Sequence, residues 1–218
     1  MRSSIATLTA TFCLLAAAGV HADDDLWFGA KAGTLGLGVE ATWRPLPYLD
    51  VRGGFNGFNY DFDASESGVD YDAELELRTL YATANLRVPL SPFRVTAGLF
   101  SNGNALNLTT RDNATVEVNG TTYTAAQIGT LEARADFDSI APYVGVGLDF
   151  RIADTFGLSL DAGVLRQGSP AISTTVSGPI ASDPVFQTEL EAERQQLEAE
   201  LDDYDLYPVV SIGLNVNF

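Results

Sequence analysis

Apolar residues recur at every second position of this chain, in one segment after another. Over residues 206–218 the even positions read Leu206, Pro208, Val210, Ile212, Leu214, Val216 and Phe218. The odd positions read Tyr207, Val209, Ser211, Gly213, Asn215 and Asn217. Side chains on a β-strand alternate between its two faces, so this segment is a strand with one oily row and one small or polar row. The same alternation runs through 26–33, 37–43, 49–56, 80–88, 93–100, 139–150 and 156–165, which makes eight strands. No charge falls on an oily row, and the opposite rows are rich in Gly, Ser, Thr and Asn. A soluble sandwich would turn a charged face to water, whereas a narrow barrel interior needs small and polar side chains. In hydrocarbon every backbone amide must find a partner, so such a sheet has to close on itself. The pattern predicts an all-β chain: an eight-stranded antiparallel up-and-down transmembrane barrel.

Two features interrupt the alternation. Pro142 and Pro208 remove ladder donors, and both lie toward the outer ends of their strands. Leu75 and Leu77 are out of phase with Leu80, which predicts either a bulge near Arg78-Thr79 or a strand continuing above the membrane. The joins 44–48, 89–92 and 151–155 are short, while those after the third, fifth and seventh strands are long and polar. Short periplasmic turns and long external loops orient the barrel. The join 33–36 is the exception and must be a tight turn. Trp27, Trp43, Tyr48, Phe93, Phe150, Phe156 and Phe218 gather near periplasmic strand ends, as an interfacial aromatic girdle requires.

The first 22 residues read as an address. Arg2 precedes an apolar run over 5–20, and Val20-His21-Ala22 fits a cleavage site for small residues. Residues 1–22 are expected to be a signal peptide and 23–218 one barrel domain. Cleavage would remove Cys13 and His21, the chain's one Cys and one His, together with one of its 12 basic residues and none of its 29 acidic ones. A surface so acidic repels nucleic acid, so no such partner is expected. Without His or Cys the mature chain has no Ser-His-Asp triad, Cys-His pair or His metal site. Carboxylates are too common for their spacing to single out a pair. The expectation is a protein without catalysis, cofactor or dedicated metal site.

Charge inside the barrel is a different matter. The inward rows carry Lys31, Arg52, Arg87 and Arg94 against Glu40, Asp50, Asp149 and Asp161. An enclosed charge without a partner is costly, so these should pair across the lumen, as a plug that holds shape or as a narrow gated pore. Outside the barrel, Asn119-Gly120 marks a hairpin turn in the loop 101–136. In the last loop Asp183 before Pro184 is a helix start, and Phe186, Leu190, Leu197 and Leu201 form one stripe. The resulting acidic helix over 183–203 is expected to pack on the barrel rim. Its alternatives are a docking helix or a surface that recruits Ca²⁺ or Mg²⁺, although no EF-hand spacing is present.

With the leader, the eight strands and the ending Leu214-Asn215-Val216-Asn217-Phe218, the chain resembles the small eight-stranded outer-membrane barrels, such as the OmpA membrane domain, OmpX and OmpW. The resemblance implies the outer membrane of a Gram-negative bacterium, with its lipids and lipopolysaccharide as surroundings. It also implies that barrel assembly machinery reads Leu214, Val216 and Phe218. The implied role is structural or cell-surface interaction, with a narrow porin-like channel for small polar solutes as the alternative.

Overall fold

A computed structural model describes residues 25–66, 69–110, 115–152 and 155–217. The expected signal peptide and Phe218 lie outside the described residues. In chain order the elements are β1 (Asp25–Gly33), β2 (Gly36–Leu46), β3 (Leu49–Glu66), β4 (Val69–Arg87), β5 (Phe93–Asn102), β6 (Ala105–Thr110), β7 (Val116–Val118), β8 (Thr121–Tyr123), α1 (Ala125–Ile128), β9 (Leu131–Asp136), β10 (Ile140–Arg151), β11 (Phe156–Arg166), β12 (Ala171–Val176), α2 (Pro184–Leu201) and β13 (Leu206–Asn217).

Eight of these strands close a barrel in the order β1-β2-β3-β4-β5-β10-β11-β13, with β13 pairing back onto β1. Every neighbouring pair is antiparallel, as short connections allow. They are the eight segments that the alternation marks out. Val39, Leu80, Leu99, Val144, Val210, Ile212 and Leu214 are among the side chains exposed on the outer wall. Asp50, Asn85, Arg94, Ala141, Ser159 and Leu165, on the opposite rows, are buried to 1 % exposure or less. An oily exterior around a filled interior suits a closed sheet in lipid. No described helix is long and apolar enough to cross a membrane.

Several expectations are corrected in detail. β3 and β4 run to 18 and 19 residues, well beyond the 11 of β2. Their register stays unbroken from Leu49↔Leu86 to Glu66↔Val69, so there is no bulge at Arg78-Thr79. The strand continues above the membrane instead. Leu77 lies on the inward row beside Thr79 and Tyr81, and Leu75 follows the same phase. The irregularity falls in β2, where the register shifts between Trp43 and Leu46. This carries the strand past Arg44 and shortens the turn that follows. Trp27 does not belong to the girdle: its ring points into the lumen at 6 % exposure, while Trp43, Tyr48, Phe93, Phe150 and Phe156 remain on the outside.

The long loops are folded. β6, β9 and β12 add in turn to the protruding part of β4 and extend the barrel's sheet outside the membrane as an outer sheet. The alternation of Leu106 and Leu108, of Leu131, Ala133 and Ala135, and of Ile172, Thr174 and Val176 supplies its apolar face. The Asn119-Gly120 turn joins β7 to β8, and both residues have positive φ, 47° and 78°, as a primed hairpin turn requires. Asp183 caps α2 by accepting from the backbone N–H groups of Val185 and Phe186 at 2.8 and 3.1 Å. The helix packs on β12, β7 and the 3-10 turn Pro179–Ser182, so its main seat is the outer strands and not the expected barrel rim. Of its stripe, Phe186 and Leu190 meet the apolar cluster there while Leu197 stays exposed. Val116, Val118, Tyr123, Ile128 and Phe186 form a core of their own, separate from the barrel interior. We call this unit the head.

Candidate functional site: the lumen and its outer seal

The lumen is built in two layers. The lower layer, toward the termini, contains all eight charged residues expected there. Arg94 is 1 % exposed and reaches Asp161 at 2.5 Å and Asp149 at 3.1 Å. It also donates to Thr96 Oγ1 and Asn85 Oδ1 at 2.8 and 3.2 Å. Arg52 sits among Glu40 (3.4 Å), Asp161 (3.6 Å) and Asp149 (3.7 Å). Arg87 bridges Asp50, at 2.8 Å, and Asp149. Lys31 lies 3.6 Å from Glu40 and 4.0 Å above the Tyr81 ring, and the Tyr81 hydroxyl donates to Glu40 at 2.7 Å. Each carboxylate therefore lies within 4.0 Å of at least two cations, the second for Asp50 being Arg44. Such sharing offsets the large cost of removing charge from water.

Sequence reasoning missed Arg44, whose guanidinium lies 4.0 Å from Asp50 and 5.9 Å from the Trp27 ring centre. The signal was present, because Arg44 continues the inward phase of Glu40 and Thr42. Ending the strand at Trp43 hid it. Arg151 also approaches the same indole, at 5.6 Å, so two guanidinium groups meet Trp27 at the lower mouth.

The upper layer is apolar. Leu35, Tyr81, Phe100, Ala141, Tyr143, Leu165 and Val209 form one buried cluster across the outer half of the lumen. Tyr81 stacks on Phe100 at 4.9 Å, and Phe100 meets Tyr143 at 5.2 Å. Glycines make the room. A Cβ on Gly54 would fall 2.5 Å from the Tyr81 hydroxyl, and one on Gly145 or Gly163 would fall 2.3 or 2.5 Å from that of Tyr143. The short β1–β2 turn closes the top. Thr34 is stitched to β13 by its N–H to Val210 O (2.9 Å) and its hydroxyl to Pro208 O (3.0 Å), while Tyr207 donates to Thr34 O (2.6 Å). That anchoring drives Leu35 into the mouth at 4 % exposure.

Little space remains. The cavity at the lower mouth, lined by Trp27, Arg44, Arg52, Arg87 and Asp149, measures about 50 Å³. The one between the layers, lined by Lys31, Tyr81, Arg94, Phe100 and Asp161, measures about 20 Å³. A single water needs about 10–15 Å³, so these hold a few waters and about one.

In the head, carboxylates of α2 clamp the small hairpin. Glu189 accepts from the Tyr123 hydroxyl, and Glu193 accepts from the Asn119 N–H at 2.9 Å. The bond to Glu189, together with burial of the ring edge, pushes the Tyr123 hydroxyl up to about 12. Arg194 joins Glu191 and Glu198 at 2.6 Å each, and its hydrogen bonds with that of Gln195 hold Glu191 down at about 2. Among the described residues no group of three or more His, Cys, Asp or Glu side chains is arranged to hold a metal ion.

No protein-family model matches the chain, and no curated protein matches it in sequence. Among solved structures it is similar to CarO2 of Acinetobacter baumannii, at 23% identity and a TM-score of 0.62, covering 90% of this chain and 100% of that one. It is also similar to CarO of the same organism, at 23% identity and a TM-score of 0.59, covering 89% and 98%. This likeness shows the fold, and with the oily outer wall it makes the chain a small eight-stranded β-barrel of the outer membrane.

Proposed function

We propose that this protein is a sealed, non-catalytic barrel whose task is to hold the head at the cell surface for interaction. The observation that carries this reading is the filled lumen beneath a separately cored head. A charge-paired layer and an aromatic layer lie in series across the barrel, with cavities of about 50 and 20 Å³ between side chains. A folded sheet, hairpin and helix with their own core stand above it. A solute channel has no need of that outer core, while a display surface does. On this reading Lys31, Glu40, Asp50, Arg52, Arg87, Arg94, Asp149 and Asp161 serve as a structural plug.

The surrounding partners follow from the same reading. Outer-membrane lipids contact the oily wall, and lipopolysaccharide contacts the acidic head through bridging cations, since direct contact between anions is repulsive. Leu214 and Val216, with Phe218, act as the signal for barrel assembly. The test is conductance in planar bilayers. The sealed barrel gives no stable single-channel steps. Reproducible steps that change on Arg52→Gln or Glu40→Gln would replace this reading with the narrow channel for small polar solutes.

A further inference from the structure

We propose that the free edge of β3 beyond Gly57 is a docking site for an extended peptide segment of alternating basic and apolar residues, which joins the outer sheet as an added strand. The inference deepens the surface role above and rests on it. β2 pairs with β3 only as far as Leu37↔Gly57, whereas β3 remains paired with β4 up to Glu66↔Val69. Among the described residues no strand pairs with β3 on its other side beyond Gly57.

Backbone parity tells which groups that edge presents. Arg87 N–H donates to Tyr48 O at 2.8 Å, and the β3–β4 register then runs without a shift. In an antiparallel ladder every second residue exchanges both hydrogen bonds with one neighbour, so the even-numbered residues of β3 serve β4. Asn59 and Asp61 therefore aim their N–H and C=O groups at the open side. A row of such groups is a template for another strand.

The side chains specify the guest. On one face Phe58, Tyr60 and Phe62 form a ladder of near-parallel rings, with centres 6.4 and 5.8 Å apart and exposures of 44, 54 and 37 %. On the other face Asn59, Asp61 and Asp63 lie opposite Glu76, Glu74 and Asp72 of β4. Arg134 answers Glu76 at 3.6 Å from the far side of that row, away from the edge. A guest strand sets its side chains alternately beside the aromatic row and the acidic row, and cross-strand neighbours of opposite charge or matching apolarity stabilise the pairing. A second copy of β3 would oppose carboxylate to carboxylate, which disfavours self-association. The same carboxylates thus protect the edge and select what joins it.

The experiment uses the full chain in detergent micelles and a fluorescein-labelled peptide of four Lys-Val repeats, read by anisotropy, with amide hydrogen exchange on the same samples. Saturable binding is expected, with protection gained at Asn59 and Asp61. Asp61→Pro removes one outward N–H without touching the β4 ladder and should weaken binding at least tenfold, as should Asp61→Lys. Unchanged heat-modifiable gel migration shows that both variants fold. The same peptide N-methylated on alternate residues keeps its charge but cannot pair as a strand, and it should fail to bind. Equal binding of the methylated peptide, wild-type affinity in Asp61→Pro, protection elsewhere in the head, or dimerisation through β3 would each overturn the proposal. Electrical silence with no peptide binding removes this site and leaves the sealed barrel standing; conductance steps remove the sealed barrel whatever the peptide does.

Discussion

Replacing Arg94 with Met tests whether the lumen is held by shared charge. The substitution keeps an unbranched stem and removes the guanidinium. In the native barrel that group is 1 % exposed and contacts Asp161, Asp149, Thr96 and Asn85. Without it, Asp149 retains Arg87 and Arg52, but Asp161 retains only Arg52 at 3.6 Å. Removing one partner of a buried ion pair costs about 3–5 kcal/mol. Because both carboxylates keep another cation, the lower end applies, about 3 kcal/mol. Adding Asp161→Asn to Arg94→Met removes the charge left short of partners, so the double variant should recover about 1–2 kcal/mol of the loss. The assay is urea unfolding of barrels folded in lipid vesicles, followed by tryptophan fluorescence. The reasoning is refuted if Arg94→Met lies within about 0.5 kcal/mol of wild type, or if Asp161→Asn adds its own full cost in that background.

Three further outcomes follow from the same geometry. A Cβ on Gly147 would fall 2.5 Å from Arg94 Cζ, so Gly147→Ala should cost about 1–3 kcal/mol by overpacking, and the effect should vanish in the Arg94→Met background. Phe186 is 1 % exposed and meets Tyr123 edge-on at 5.0 Å, so Phe186→Ala should lose about 3–5 kcal/mol of head stability. Amide exchange should rise in β7, β8 and α2 while barrel amides and heat-modifiable migration stay as in wild type; a loosened barrel would show that the two cores are one. Glu189→Gln should bring the Tyr123 ionisation midpoint down from about 12 toward the ordinary tyrosine value, read by ultraviolet absorbance titration against wild type. The raised value means that the neutral hydroxyl favours the folded head. That contribution is fully present below the unfolded value of about 10 and is lost as pH rises through about 12, so the difference between the proteins should narrow at high pH.

The sequence by itself determined the barrel. Alternation has a period of two, and lipid tolerates no charge or open backbone edge, so rows such as Val210, Ile212 and Leu214 could face only outward. The same phase named the eight charged residues of the lumen before their contacts were visible, and local chemistry marked the Asn119-Gly120 turn and the Asp183 cap. Only the tertiary structure decided which carboxylate meets which arginine, because those partners come from strands far apart in the chain. It alone brought two arginines to Trp27, set Leu35 in the mouth, and showed that Leu75 and Leu77 belong to a strand outliving its membrane span. The head was least legible. Its strands are short, its apolar face is shared among β6, β9 and β12, and no single segment carries enough alternation to declare a sheet until its neighbours supply the other half of the hydrogen bonds.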